Sequence, residues 1–493
     1  MTAPHRKSGS LVTIRVAGLL LALLIAASVY AQPAGVFTRT GTMTIPRTFH
    51  TATLLLDGRV LIAGGVAYNT PFGGNLSSVE VYQPLTGTFA AAGTMTTPRA
   101  GHTATLLPDG RVLIAGGSST DCCNAPPASA ELYDPSTGIF TRTGDMIAGH
   151  SCHQATLLAN GKVLISGGYG TQAGIPGAEL YDPDTGTFSV TGSYASETPG
   201  FNGCQGASST LLPDGKVLIV WETSTSELYD PDTGTFSLTG RTLAPSYSDG
   251  MPTTTLLMNG EVLVAGGADD FGFYANAELY DGSTGTFGAA GNMTMARAGH
   301  TSTLLPDGTV LLVGGLGIWG VYPLTSAEIY DPASGTFLAT STTTVPQEHT
   351  ATLLNNGQVL AAGGWVGRTP NLLYTPSVLK PAPFLLSMSG DGQGQGFILH
   401  GTIANFASPD DPASAGETVQ IYCVGLADGS VIPPQVTIGG RMAEIVSFGN
   451  APGWTGVNQI SVRVPSGVAT GSAVPVRLIY LGRTSNEVAI AIQ

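Results

Sequence analysis

The sequence predicts an all-β protein: a seven-bladed β-propeller closed by an N-terminal strand, followed by a small β-sandwich. Three observations carry that expectation. A unit of about fifty residues recurs seven times between Phe37 and Pro376. Six of the copies carry a double glycine, at Gly64, Gly116, Gly167, Gly266, Gly314 and Gly363 and the residue that follows each. Every copy but the last also divides into four short strand-like runs separated by turn signals, the mark of a propeller blade.

Residues 1–31 read as a signal peptide. His5, Arg6, Lys7 and Arg15 form a positive start, Val16 to Tyr30 is apolar or small throughout, and Val29-Tyr30-Ala31 offers a cleavage site. The alternative is an uncleaved membrane anchor, for which this run is barely long enough. Export would place the protein in a secreted, periplasmic or cell-surface setting where disulfides persist.

Residues 32–376 form the propeller. The second copy shows the unit clearly. His102-Thr103-Ala104-Thr105-Leu106 alternates in character, as an inner strand a facing a channel should. Asp109-Gly110 supplies the positive φ angles of a tight hairpin, and Asx-Gly recurs at the same place in all seven copies. Val112-Leu113-Ile114-Ala115 is strand b, apolar on both faces because blades pack on either side. Gly116-Gly117 ends it where backbones must approach closely. Strand c carries Glu131-Leu132-Tyr133, and an Asp-Pro-x-Thr-Gly turn leads to strand d at Phe140. The last copy lacks a strand d, whereas Gly35-Val36-Phe37-Thr38-Arg39-Thr40-Gly41 reads as a strand d with nothing before it. The N-terminal segment is therefore expected to complete the seventh blade and leave no open edge.

Residues 377–493 have a different texture. Val419–Leu426, Gln435–Gly440, Ile460–Pro465 and Pro475–Tyr480 are short alternating strands between Gly, Pro and Asn turns, which predicts an immunoglobulin-like β-sandwich. Only 11% of the chain is charged, its formal net charge is −14, and no basic stripe is present, so nucleic acid is excluded as a partner.

The Gly-Gly pair, the Glu-x-Tyr-Asp-Pro element, the aromatic after Thr-Gly and the Pro-Arg before strand a resemble the kelch repeat over residues 36–376. Phe stands on strand d where that family usually has Trp. The fourth copy departs further, with Trp221-Glu222 in place of Gly-Gly, and copies three to five lack the Arg. The Val-Thr-Ile-Gly-Gly and Val-Pro-Ser-Gly-Val elements of the tail resemble C-terminal modules on secreted proteins of soil bacteria, which implies spacing, docking or surface attachment. The order of propeller and immunoglobulin-like domain is similar to that of galactose oxidase and its relatives. That resemblance implies a copper–radical centre built on a consecutive Tyr-His pair and a further histidine on the C-terminal domain. The chain contains no Tyr-His pair, and only His400 lies in the tail. A sialidase-like reading of Asp184-Thr185-Gly186-Thr187-Phe188 fails because no three arginines stand ready to clamp a carboxylate.

Chain direction places all a–b and c–d turns on one face of the propeller and the b–c and d–a loops on the other. The turns are monotonous and the loops vary, so the site is expected among the loops. Candidate ligand contacts there are Tyr169, Tyr194, Trp221, Glu222, Asp269, Asp270, Tyr274, Trp319, Tyr322, Trp365 and Arg368. Flat aromatics beside carboxylates suit carbohydrate, while the competing reading has them plug the channel mouth or cover loops.

His50, His102, His300 and His349 share one repeat position beside Arg47, Arg99, Arg297 and Gln347, which points to inter-blade packing rather than metal. His150-Ser151-Cys152-His153 reads as a break in the repeat. It is expected to face Cys122, Cys123 and Cys204, either in disulfides among Cys122, Cys123, Cys152 and Cys204, with Cys423 left as a buried thiol, or as a copper or zinc site on His150, Cys152 and His153. No nucleophile motif, phosphate loop or metalloprotease helix is present. The sequence thus favours a non-enzymatic binding module for a glycan or extracellular protein, without a cofactor. A copper carbohydrate or alcohol oxidase and a structural surface protein are the alternatives.

Overall fold

The computed structural model describes residues 35–67, 74–118, 126–170, 177–196, 207–244, 247, 250, 252–317, 323–340, 348–364, 370–401 and 405–493. Seven four-stranded antiparallel sheets form the blades of a propeller. Their strands a are Thr51–Leu54, Thr103–Leu106, Gln154–Leu157, Ala207–Leu211, Thr253–Leu256, Thr301–Leu304 and Thr350–Leu353. Each strand a adjoins the next around the ring, and the last adjoins the first. Strands b, such as Val60–Ala63 and Val112–Ala115, are buried along their whole length, as their two-sided apolar sequence requires.

The hairpins between a and b turn on Asx-Gly because the second residue adopts φ near +90°, for example Gly58 at +85° and Gly110 at +90°. One Tyr of strand c and one Phe of strand d face each other in every blade. Tyr133 and Phe140 are paired in register with ring centroids 4.8 Å apart, and the other blades repeat the geometry. Tyrosine hydroxyls then reach across the seams between blades, Tyr82 to Thr40, Tyr181 to Thr143, Tyr229 to Thr191 and Tyr280 to Thr239, at 2.8–2.9 Å.

The ring closes as expected. Val36–Arg39 pairs antiparallel with Leu372–Thr375, so blade seven reads d from the N-terminus and a, b, c from the other end of the array. Phe37 supplies the Phe of this blade, 5.0 Å from Tyr374. Closure is reinforced by Thr40 N–H to Asn371 O (3.0 Å), Gly41 N–H to Gly87 O (2.8 Å) and Asn371 Nδ2–H to Gly41 O (2.8 Å).

The tail expected as an immunoglobulin-like sandwich is one nine-stranded sheet curled on itself. The ten-residue strand Arg441–Asn450 joins its halves, pairing with Gln435–Ile438 through its first residues and with Asn458–Arg463 through the remainder. Val419, Ile421, Cys423, Ile460 and Val462 of one half meet Val436, Ile438, Val476, Leu478 and Ile490 of the other in a single core. Burial pushes the Cys423 thiol up to about 12, so it is an inert core group.

This domain sits on the hairpin face of the propeller. Val431 N–H donates to Met258 O (2.9 Å), Thr484 N–H to Asn355 Oδ1 (3.1 Å), and Arg441 pairs with Asp184 at 2.5 Å. Met442 packs over Gly161, and Gly440 lies against Asp109. The contacts therefore span the a–b hairpins of blades two, three, five and seven and the c–d turn of blade three.

Candidate functional site

The opposite, loop-side end of the channel is organised by histidines. His50, His102, His153, His300 and His349 each precede a strand a, and each Nε2 hydrogen-bonds the hydroxyl of the first strand-a residue of the preceding blade. The partners are Thr350, Thr51, Thr103, Thr253 and Thr301, at 2.9–3.1 Å. Burial holds His50, His102 and His300 down to about 3, with Arg47, Arg99 and Arg297 adding to the effect, so these rings are neutral. Burial also holds His153 well below its usual value.

The double glycine exists for this girdle. A Cβ on Gly64 would fall 2.8 Å from Cε1 of His102 in the next blade, and one on Gly65 would fall 2.9 Å from Cβ of His50 in its own. Both glycines also adopt positive φ, +60° and +93°. Blade four, with Trp221-Glu222, is consistent with this rule: its strand a begins with Ala207 at the histidine position, and blade five has Pro252 there.

Buried Arg–Glu pairs brace the same level. Arg99 contacts Glu131 at 3.1 Å and donates to Gly116 O and Ser129 O at 2.8 Å. Arg47–Glu80 and Arg297–Glu328 repeat the arrangement. Here the structure corrects the sequence reading of His150-Ser151-Cys152-His153. His153 is the ordinary girdle histidine of blade three, and His150 takes the arginine's place, its Nε2 3.5 Å from Glu179. The repeat is kept, with a shorter nitrogen-bearing side chain in the same slot.

The residue before each girdle histidine forms the inner rim of the mouth. Phe49, Gly101, Cys152, Gly299 and Glu348 all adopt left-handed backbone, with φ between +52° and +61°. Gly101 N–H donates to Phe49 O (3.1 Å) and Cys152 N–H to Gly101 O (2.8 Å), so neighbouring rim residues are tied to one another. Glu348 stands out among them. Its Oε2 is shut off from solvent and accepts no hydrogen bond from any described residue, and burial raises its carboxyl to about 7. A non-glycine residue in this conformation with an unsatisfied carboxylate is poised to accept a proton or hydrogen bond from a bound group.

The residues expected at the site divide into three sets. Trp221 and Tyr194 are structural. Trp221 is 1% exposed within the blade-four core, its ring 4.6 Å from that of Tyr194, and the Tyr194 hydroxyl accepts from Gly167 N–H at 2.7 Å and donates to Gly177 O. These rings fill the space that Ala207 leaves where other blades place histidine. Glu222 is also buried, its carbonyl accepting from Tyr247 N–H at 2.7 Å.

Asp269 and Tyr274 come together on the b–c hairpin of blade five. Asp269 Oδ1 accepts from the Phe271 and Gly272 N–H groups at 2.9 and 3.1 Å, and Oδ2 from the Tyr274 hydroxyl at 2.5 Å. The Tyr274 hydrogen bond, followed by those backbone donors, holds the Asp269 carboxyl below its usual range. The hairpin thereby presents Asp270 and a 97% exposed Phe271 at its tip. Tyr169 lies in a two-residue strand paired with His150–Ser151. Trp319, Tyr322, Trp365, Arg368, Cys122, Cys123 and Cys204 lie outside the described residues. Sequence reasoning missed Glu348 and Phe49, although their constant position before a girdle histidine was a usable signal.

No family model matches the chain. Two galactose oxidases of Gibberella zeae are each 34% identical to it over 107 residues, 21% of this chain and 16% of the relative's length. Among solved structures, a fungal alcohol oxidase of the AA5 family, in complex with copper, is similar with a TM-score of 0.60 and 18% identity, over 94% of this chain and 99% of that one. The chain thus shares the fold of a seven-bladed propeller with AA5 and galactose oxidase neighbours. Donors for a copper centre on a Tyr-His pair do not come together among the described residues. The five girdle histidines are preceded by Phe, Gly, Cys, Gly and Glu, and their Nε2 atoms are engaged by threonine. His400 is held by Glu417 and by Asp411 O (3.1 Å) in the C-terminal domain. No group of three or more His, Cys, Asp or Glu suited to a metal occurs among the described residues.

Proposed function

We propose that this protein is an exported binding module that takes a glycan or an extracellular protein at the loop-side mouth of its propeller. The observation that carries this reading is the placement of the C-terminal domain on the hairpin face, which leaves the variable-loop end for recognition. The mouth supplies suitable chemistry: the unsatisfied Glu348 carboxyl for a ligand hydroxyl or amine, Phe49 beside it on the rim, and Asp270 and Phe271 on a braced hairpin. Trp319, Tyr322, Trp365 and Arg368 belong to the same proposed contact set. The test is a glycan and secreted-protein binding screen with residues 32–493, in parallel with Glu348→Gln and Phe271→Ala. Ligand captured by the parent and weakened in either variant supports the reading, while capture equal in both variants places the site elsewhere.

A second reading, a copper carbohydrate or alcohol oxidase, is favoured by the fold shared with the fungal alcohol oxidase over nearly the whole chain. The donor set described above does not fit a Tyr-His copper centre. Copper loading followed by metal analysis and peroxide assay separates the two. Stoichiometric copper with peroxide release on adding an alcohol or sugar would replace the binding reading.

A further inference from the structure

The outer face of the C-terminal sheet carries a feature that the propeller reading does not use. In strands Ile398–His400, Thr418–Val424 and Asn458–Arg463, the residues Ile398, Val419, Ile421, Cys423, Ile460 and Val462 are buried in the core. Strand alternation then places Phe397, Gln420, Tyr422 and Gln459 on the other face, with Tyr422 opposite Gln459 in register. There Phe397 is edge-on to Phe406 at 5.1 Å, to Tyr422 at 5.3 Å and to Trp454 at 6.0 Å. Trp454 is 52% exposed. It is nevertheless held in place, on a turn closed by Ala451 N–H to Val457 O (2.8 Å) and Trp454 N–H to Ala451 O (3.1 Å).

We infer that this contiguous aromatic face is a second binding site, and that its ligand is a neutral polysaccharide. Ring faces stack on the CH faces of sugars, and amides such as Gln420 and Gln459 exchange hydrogen bonds with hydroxyls. Charge decides the class of polymer. Among the described residues, the ion pairs on these strands, Glu444–Arg463 at 2.9 Å and His400 with Glu417 and Asp411, tie each basic side chain to a carboxylate. A chain of net charge −14 repels a polyanion, and among the described residues the three strands carry no lysine or arginine without a carboxylate partner. The inference is independent of the channel-mouth reading, because the propeller's hairpin face and the C-terminal core lie between the two.

The test uses the full exported chain, residues 32–493, in pull-down on microcrystalline cellulose and in affinity electrophoresis through mixed-linkage β-glucan, starch and, as the polyanion, pectate. The parent, Trp454→Ala, Trp454→Phe and Glu348→Gln are compared, with circular dichroism confirming the fold of each. Expected is retardation by at least one neutral polymer and not by pectate, weakened at least tenfold in Trp454→Ala and partly restored in Trp454→Phe. Equal retention of Trp454→Ala, or retardation by none of the neutral polymers, would overturn the site. So would sedimentation showing a dimer that Trp454→Ala dissociates, which would make this face a contact between copies of the chain. Loss in Glu348→Gln alone would instead assign glycan binding to the channel mouth.

Discussion

Lowering the pH from 7.5 to 5 should remove about 3–4 kcal/mol of propeller stability, because the buried girdle cannot take up protons that the unfolded chain accepts. Burial depresses His50, His102 and His300 from 6.5 to about 3. A folded-state pKa below the unfolded value means that stability is complete above pH 6.5 and declines as pH falls towards the folded value. At pH 5 each of these rings costs about 2 kcal/mol, so the three together cost about 6. Glu348 acts in the opposite sense. Its carboxyl is raised from 4.5 to about 7, so the folded state holds a proton that the unfolded chain has lost, and acidification to pH 5 returns about 2.5 kcal/mol. The net loss is a large part of the 5–15 kcal/mol typical of a domain. Urea unfolding of residues 32–493, followed by tryptophan fluorescence between pH 7.5 and 5, measures it. His102→Gln should reduce the acid-induced loss by about 2 kcal/mol, whatever its effect at neutral pH. Stability that is flat or rising on acidification, or a slope unchanged in His102→Gln, would refute the reasoning.

Glu348→Gln should flatten the decline in stability between pH 5 and 8 that the buried carboxyl produces, adding up to about 3 kcal/mol at pH 8 in the same assay. Gly64→Ala should destabilise by at least about 1–2 kcal/mol, since its backbone is left-handed and the new methyl would lie 2.5 Å from Arg99 O; a midpoint shift in thermal unfolding reads this out. Arg99→Ala should cost about 3–5 kcal/mol by stranding Glu131, whereas Arg99→Met/Glu131→Leu should recover much of that loss. Deleting residues 35–41 should expose the edge of Leu372–Thr375 and convert a closed ring into an aggregating species, detected by size-exclusion chromatography.

The architecture was legible in the sequence because its determinants are local and repeated. Asx-Gly fixes each hairpin, the Tyr and Phe of strands c and d sit at constant spacing, and Gly35–Gly41 matches the strand d that follows Ile139. The site was less legible because its logic runs between blades. The requirement for glycine at Gly64 comes from His102, some forty residues on. Trp221 reads as an exposed loop aromatic until Ala207 is seen to leave a hole beside it. His150 looks like part of a metal motif until it is found beside Glu179, standing where other blades place arginine. Glu348 is not legible in the sequence because an unsatisfied oxygen and a left-handed backbone arise only once the chain is folded. Trp454 went unremarked because the rings it joins come from separate strands of the tail.

The seat of the C-terminal domain on the hairpins of blades two, three, five and seven clasps four of the seven blades to one body. A blade held there cannot swing outward without also breaking a contact with the tail, so loss of any one of these blades is coupled to undocking of the C-terminal domain.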